Sequence, residues 1–117
     1  MIDITHKTST SRTATALAAV KMSNSHTRDA VQQGLVPKGN VLESARVAAL
    51  FGVKKTAELI PDCHPLPIEF TRVDFEWNGL ELLISVSVST VYKTGVEVEA
   101  MHGASVAALT VYDMLKP

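Results

Sequence analysis

The segment Leu59–Phe70, LIPDCHPLPIEF, constrains the fold more than any other, because three prolines fall within seven of its residues. Proline fixes φ and has no backbone N–H, so neither a helix nor a central strand can run through this segment. It is a stiff connector that separates two parts of the chain. It also holds the single cysteine, Cys63, and beside it His64.

The part before the connector predicts one strand and two helices. Residues 12–22 contain Thr, Val and much Ala and favour a strand, and residues 23–34 open with cap-type residues and close on glycine, as a short helix does. A stronger helix begins after Asn40, which is a good N-cap residue. Apolar residues then recur at helical spacing, and this helix must end by Ile60 because Pro61 follows.

The part after the connector predicts a hairpin and a long helix. Residues 68–77 and 80–92 flank the pair Asn78-Gly79. An Asn-Gly pair between alternating segments is the strongest short-range signal for a β-hairpin. Residues 95–116 are rich in small side chains and predict a long helix.

With the short helix set aside, the predicted order is β, α, β, β, α, which indicates the α+β class. A ferredoxin-like sandwich has the order βαββαβ, so its last strand is missing from the given sequence. Either a partner strand takes that place or the sequence is a fragment. We favour the fragment, because a sheet edge left open beside a hydrophobic core invites aggregation. We expect residues 1–117 to form one domain with a truncated C-terminal end.

Composition excludes several classes of protein. Apolar residues make up 46% of 117 residues, which indicates a globular chain. The net charge of −1 gives no general attraction to nucleic acid or acidic membranes. We find no signal peptide and no apolar run near the roughly 18 residues of a membrane helix. One cysteine cannot form an internal disulfide, which fits a cytoplasmic protein.

Two lysines and an aspartate are candidates for binding or proton transfer. Lys38 lies between Pro37 and Gly39, just before the stronger helix. The free N–H groups and the dipole at that helix start would help it to bind an anion; an exposed lysine in a turn is the simpler alternative. Asp113 and Lys116 are three residues apart and share a helix face. They form either an exposed ion pair or an acid–base couple.

Cys63 and His64 do not suit metal or nucleophile chemistry. Adjacent residues chelate poorly, and no second cysteine completes a ligand set. Neighbours in an extended chain point to opposite faces, so the imidazole is not aimed at the thiol. We expect Cys63 to be a small buried residue and His64 to bind a ligand or cap a backbone group, with Lys54 nearby to face a phosphate.

Glu97 and Glu99 follow a glycine turn at the start of the last predicted helix. On a strand the two carboxylates would share a face, and on a helix they would diverge by about 200°. Carboxylates at a helix start are also favoured by the helix dipole without any further role.

The chain contains, in this order, the strings PKGNVLESARVAAL, KKTAELIPDCHPL, KTGVEVEA and ASVAALTVYDMLK, after the opening MIDITHKTSTSRTA. Together they resemble the cyclic pyranopterin monophosphate synthase family, molybdenum cofactor biosynthesis protein C, over nearly the whole chain. The resemblance implies a ferredoxin-like fold and a hexamer built from dimers, with active sites at the dimer interface. It implies a lyase that converts 3′,8-cyclo-7,8-dihydro-GTP into cyclic pyranopterin monophosphate and pyrophosphate. We expect no cofactor and no metal.

The resemblance also implies roles for individual residues. Lys38 and Lys116 match two catalytic lysines that serve proton transfer, and Asp113 matches the aspartate beside them. The positions that match substrate-binding residues are Asp62, Cys63, His64, Glu97, Val98 and Glu99, while Arg12 and Lys54 match positions that meet the phosphates.

The chain departs from the family pattern at several positions. Val98 stands where methionine is common, Asp62 where leucine is common, and His102 where threonine is common. The sequence stops at Pro117, whereas the family continues into a last strand. The alternative to the enzyme is an inactive nucleotide- or pterin-binding domain, or an oligomerising domain, of a fusion protein.

Overall fold

The computed structural model describes residues 1–116. Their helices and strands are β1 (Thr10–Lys21), α1 (Ser25–Gln32), α2 (Val41–Lys54), α3 (Thr56–Leu59), β2 (Phe70–Asn78), β3 (Glu81–Tyr92) and α4 (Glu97–Leu115). The chain is therefore of the α+β class, as predicted. None of the helices in this part of the chain is both long and apolar enough to cross a bilayer.

The three strands form one antiparallel sheet in the order β1-β3-β2. Alternate residues of β3 face the helices and are fully buried: Leu82, Ile84, Val86 and Val88. The serines between them face the other way and bond across the sheet, with Thr13 and Thr15 hydroxyls 3.0 and 2.8 Å from those of Ser89 and Ser87. This period of two is the one that the sequence of β3 predicts.

Helices α2 and α4 cover one face of the sheet and run antiparallel to each other. Lys38, just before α2, contacts Asp113 near the end of α4, while Gly52 near the end of α2 contacts His102 near the start of α4. Their contact is close, because a Cβ atom on Gly103 would lie 2.7 Å from the Val53 Cγ2 atom. The small residues of the sequence thus bring the two helices together.

The predicted hairpin is present, but its loop lies one residue later than the Asn-Gly rule suggests. Asn78 pairs with Glu81 in the ladder, so the two loop residues are Gly79 and Leu80. Gly79 supplies the left-handed φ of +60° that the tight loop needs.

The helix predicted after Asn40 ends by Ile60, as expected, but a break at Lys55 divides it into α2 and α3. The Asn40 side chain accepts a hydrogen bond from the Glu43 N–H at 3.0 Å, which confirms the predicted N-cap. At the break, the Thr56 hydroxyl donates to the Gly52 carbonyl oxygen at 2.8 Å. A side chain that donates hydrogen bonds to the last carbonyl groups of a helix competes with the backbone N–H groups that would continue the helix.

Candidate active site

Three of the predicted catalytic residues meet at one end of the helix layer. The Lys116 ammonium lies 2.9 Å from the Asp113 Oδ1 atom. The Lys38 ammonium donates to the Asp113 carbonyl oxygen at 2.9 Å and lies 3.6 Å from its Oδ2 atom. Asp113 lies in the last turn of α4, Lys116 directly follows that helix, and Lys38 lies in the loop before α2. We call these three residues the lysine–aspartate cluster.

The lysine–aspartate cluster contains two basic groups and one carboxyl group, so its formal charge is positive. The hydrogen bond from Lys116, then its charge and that of Lys38, lower the pKa of Asp113. The hydrogen bond to Asp113 and its charge raise the pKa of Lys116. The side chains remain 41% to 56% exposed, so these pairs add little to stability. The two ammonium groups therefore remain accessible to an anion, at little cost to the fold.

A buried carboxyl group lies at the other end of α4. Glu99 is only 3% exposed. Its Oε2 atom accepts a hydrogen bond from the Cys63 thiol at 3.3 Å, while Oε1 has no hydrogen-bond partner within residues 1–116. An unfilled acceptor on a buried carboxyl group is costly, so this geometry indicates a place for a donor of a ligand. Glu97 and Val98, on the same turn, point outward and are exposed.

Cys63 is held as a thiol by its surroundings. Desolvation, then the hydrogen bond to Glu99 and the charge of that residue, raise its pKa from the ordinary 9.0 to about 11. Cys63 is thus half-buried and acts as a donor to Glu99, which is more than the packing role that the sequence suggests.

We expect Cys63 to react with iodoacetamide about a hundredfold more slowly at pH 8 than an ordinary thiol, because only the thiolate reacts. The pH midpoint of the reaction should lie near 11. Glu99→Gln should lower this midpoint without restoring the ordinary value, because desolvation is the largest cause of the shift. A midpoint near 9 in the unaltered protein would contradict the contact between Cys63 and Glu99.

His64 contacts the N-terminal segment, which sequence reasoning did not place at the site. Its Nε2 atom donates to the Ile2 carbonyl oxygen at 2.6 Å, and the Met1 amino group lies 3.2 Å from the Asp62 carboxylate. No periodicity or spacing in residues 1–9 signals these contacts, because they join backbone groups to residues about 60 positions away.

Lys54, His64 and Glu99 line one cavity of about 120 Å³, together with Thr56 and Glu58. Apolar side chains of the connector complete its wall, among them Leu66 and Ile68. The proline-rich segment therefore does present His64 to a cavity, beside the predicted Lys54 and the buried carboxyl group.

Two further residues lie at this same end of the molecule. Arg12 pairs across the sheet with Thr90, whose hydroxyl bonds the Pro67 carbonyl oxygen, while the Arg12 side chain donates to Thr10 at 2.7 Å. Arg12 thus lies near the connector by backbone position. His102 donates from Nδ1 to the Gly52 carbonyl oxygen at 2.8 Å, which ties α4 to the end of α2.

The predicted site residues therefore form two groups and not one. Cys63, His64 and Glu99 lie at the start of α4, whereas the lysine–aspartate cluster lies at its end. Asp113 follows Glu99 by 14 residues of continuous helix, which at 1.5 Å per residue separates the two groups by about 21 Å. One small molecule could not reach both groups on a single chain.

Ionised side chains around cavities on an α+β frame are typical of an enzyme that acts on a small anionic molecule. The chain belongs to the MoaC family, whose model matches residues 1–117. This membership confirms the resemblance drawn from the sequence strings.

Curated relatives agree with this assignment. A protein of Bordetella parapertussis named cyclic pyranopterin monophosphate synthase is 48% identical over 118 residues, which cover 99% of this chain and 73% of that protein. One of Xanthomonas oryzae with the same name is 47% identical over 99% of this chain and 72% of its own length. A probable cyclic pyranopterin monophosphate synthase of Methanococcoides burtonii is 45% identical, with the same two shares.

Proposed function

We propose that this chain is a cyclic pyranopterin monophosphate synthase of molybdenum cofactor biosynthesis. It is a lyase that converts 3′,8-cyclo-7,8-dihydro-GTP into cyclic pyranopterin monophosphate and pyrophosphate. The observation that carries the proposal is the convergence of Lys38 and Lys116 on Asp113, within a chain of the MoaC family. Three charged groups from two distant parts of the sequence meet there at little gain to stability.

The lysine–aspartate cluster acts at the phosphates and moves protons. A sugar hydroxyl attacks the innermost phosphorus, the bond to the next phosphate breaks, and pyrophosphate leaves with the electron pair of that bond. The two ammonium groups stabilise the charge that develops on the leaving group, while Asp113 holds them in place. The proton of the hydroxyl passes to the Asp113 carboxylate, because both lysines of the cluster already carry a proton. The proton exchanges that rearrange the purine into a pterin use the same three groups.

The second group of residues binds the purine-derived end and, through Lys54 and Arg12, part of the triphosphate. Glu99 offers its unfilled Oε1 acceptor to N–H donors of the guanine-like edge, and Cys63 fixes the other oxygen of the same carboxyl group. Substrate-binding roles at this end are proposed for Asp62, Cys63, His64, Glu97, Val98, Glu99, Lys54 and Arg12, of which Lys54 and Arg12 meet phosphates.

Within the α+β class, we propose that the chain has the ferredoxin-like sandwich fold. The antiparallel order β1-β3-β2 supports it, because β1 and β2 then run parallel with β3 inserted between them, with α2 joining them as in a split βαβ unit. In such a fold a further strand would pair with the free edge of β1.

The active enzyme is a homo-oligomer, because a complete site needs two chains. A two-fold axis near Ser105, midway along α4, would bring the lysine–aspartate cluster of one chain to the Glu99 group of its partner. The exposed face of α4 supports such a contact, since Met101, Leu109 and Tyr112 are each more than half exposed there.

Three such dimers form the proposed hexamer. The outer face of the sheet supports a second interface, because Leu17, Phe70 and Val91 are exposed on it. The proposal includes a cytoplasmic location, which the lone cysteine supports.

The test is incubation of the purified protein with 3′,8-cyclo-7,8-dihydro-GTP, with pyrophosphate release followed over time. We expect release by the unaltered protein and none above background by Lys116→Ala, because the leaving charge then loses a cation. Equal release by both would remove Lys116 from the chemistry. Binding of the substrate without release would favour the alternative, an inactive binding domain.

A further inference from the structure

The His102 imidazole joins the start of α4 to the end of α2. Its Nδ1 atom lies 2.8 Å from the Gly52 carbonyl oxygen and 3.1 Å from the Thr56 hydroxyl oxygen. A carbonyl oxygen only accepts hydrogen bonds, so Nδ1 carries a proton and donates it to Gly52. The neutral ring in this tautomer and the protonated ring both donate from Nδ1, so the contact does not depend on the charge of His102.

The Gly52 carbonyl oxygen has a second side-chain donor. The hydroxyl of Thr56, which is a buried residue, donates to it at 2.8 Å. Removal of the imidazole therefore leaves this acceptor with a partner, whereas a large loss of stability is expected when a buried acceptor has none. The hydrogen bond from His102 thus contributes more to the relative position of the two helices than to the stability of the fold.

Helices α2 and α4 approach each other closely at the same place. A Cβ atom on Gly52 would lie 3.3 Å from the Gly103 Cα atom. Contact between small apolar residues has no preferred direction, whereas a hydrogen bond requires both a short distance and a near-linear angle. The bond from His102 therefore fixes how far along α2 the start of α4 lies.

The same bond lies beside two residues that line the cavity next to His64. Lys54 follows Gly52 by two residues, and Glu99 precedes His102 by three residues on α4. On a helix a side chain three residues away lies about one turn along the same face. A shift of α4 along α2 would therefore move the Glu99 carboxyl group past the wall that holds Lys54.

We propose that His102 is a positioning residue for the reaction, which holds the buried Glu99 carboxyl group at a fixed place relative to the break between α2 and α3. It is not among the residues that line the cavity, so it acts through Glu99. The proposal rests on the proposed function, because the molecule that Glu99 binds is the substrate named there. A displacement of about 1 Å at a binding group is enough to weaken a reaction strongly.

Steady-state kinetics of pyrophosphate release separate the effects on KM and kcat. We expect His102→Leu to raise KM for 3′,8-cyclo-7,8-dihydro-GTP about tenfold, because a binding group is displaced. The kcat value should stay within about twofold, because the lysine–aspartate cluster lies at the other end of α4. His102→Asn should recover most of the loss, since its amide N–H group is as many bonds from the backbone as Nδ1. The matched control is His26→Leu, an exposed position on α1, which should behave like the unaltered protein.

Alkylation of Cys63 provides a second measurement that needs no turnover. Desolvation and the contact with Glu99 raise the pKa of the Cys63 thiol, and a displaced Glu99 would weaken both effects. We expect the pH midpoint of the reaction with iodoacetamide to move from near 11 toward the ordinary 9.0 in His102→Leu. It should stay near 11 in His102→Asn. Thermal unfolding shows whether both variants are folded in the assay.

The proposal is wrong if His102→Leu leaves either KM or the Cys63 midpoint unchanged, or if His102→Asn behaves no better than His102→Leu. A lower unfolding temperature with no change in those two quantities would give His102 a role in the fold alone. Absence of pyrophosphate release by the unaltered protein would reject the synthase. A Cys63 midpoint that depends on His102 would in that case still retain the positioning of Glu99.

Discussion

Lys38→Ala is expected to lower turnover of 3′,8-cyclo-7,8-dihydro-GTP by roughly 10²- to 10⁴-fold, the usual range for loss of a group that transfers a proton. Lys38 lies in a loop, and its side-chain contacts are to Asp113 alone among the contacts found in residues 1–116. The fold should therefore remain intact. Single-turnover assays together with thermal unfolding would measure the two effects separately.

Lys55→Ala is a suitable comparison, because it removes an exposed ammonium group whose one ion partner within residues 1–116 is Glu58, at 3.8 Å. Turnover of this variant should match that of the unaltered protein. Lys38 is not a catalytic residue in the proposed sense if turnover by Lys38→Ala falls no further than turnover by Lys55→Ala. The same conclusion follows if Lys38→Ala unfolds at a much lower temperature than the unaltered protein.

Co-expression of two inactive variants is expected to restore activity, since each proposed site takes one group from each chain. Lys38→Ala removes a group of the lysine–aspartate cluster, which lies at the end of α4. Glu99→Gln alters the group of site residues at the start of α4. In a random two-fold dimer half of the dimers are mixed, and one of their two sites is intact. Activity per chain should therefore recover to about a quarter of that of the unaltered protein.

Co-expression of Lys38→Ala with Lys116→Ala provides the matched control, because both variants lack a lysine of the lysine–aspartate cluster. Every site in their mixed dimers lacks one lysine, so no recovery is expected. Activity of the first mixture that equals the sum of its separate components would contradict a shared site.

Much of the fold is predictable from local sequence, because its signals act over short distances. The N-cap at Asn40 and the alternation in β3 both occur where the sequence places them. The break at Lys55 is not predictable in this way. It accompanies a hydrogen bond between His102 and Gly52, which are 50 residues apart. The hairpin loop differs by one residue because Asn78 pairs with Glu81 in the ladder, so Gly79 takes the first loop position and Leu80 the second.

Some contacts of the candidate site also follow from local sequence, while others depend on packing between residues far apart in the chain. Asp113 and Lys116 are one helical turn apart, so the sequence alone predicts their contact. The divergence of Glu97 and Glu99 also follows from helix geometry, with one exposed and the other buried. The approach of Lys38 to Asp113 spans 75 residues and depends on how α2 packs against α4.

The close packing at Gly103 fixes the positions of both ends of α4. The helix of 19 residues is about 28 Å long, so a tilt of about 5° about its middle would move each end by about 1 Å. A side chain at Gly103 would push against Val53 and the Ala49 carbonyl oxygen. A displacement of that size can slow a reaction strongly even where no reacting group is altered. The contact between the two helices thus fixes the positions of two proposed active sites at once, through a glycine that is not itself one of their proposed site residues.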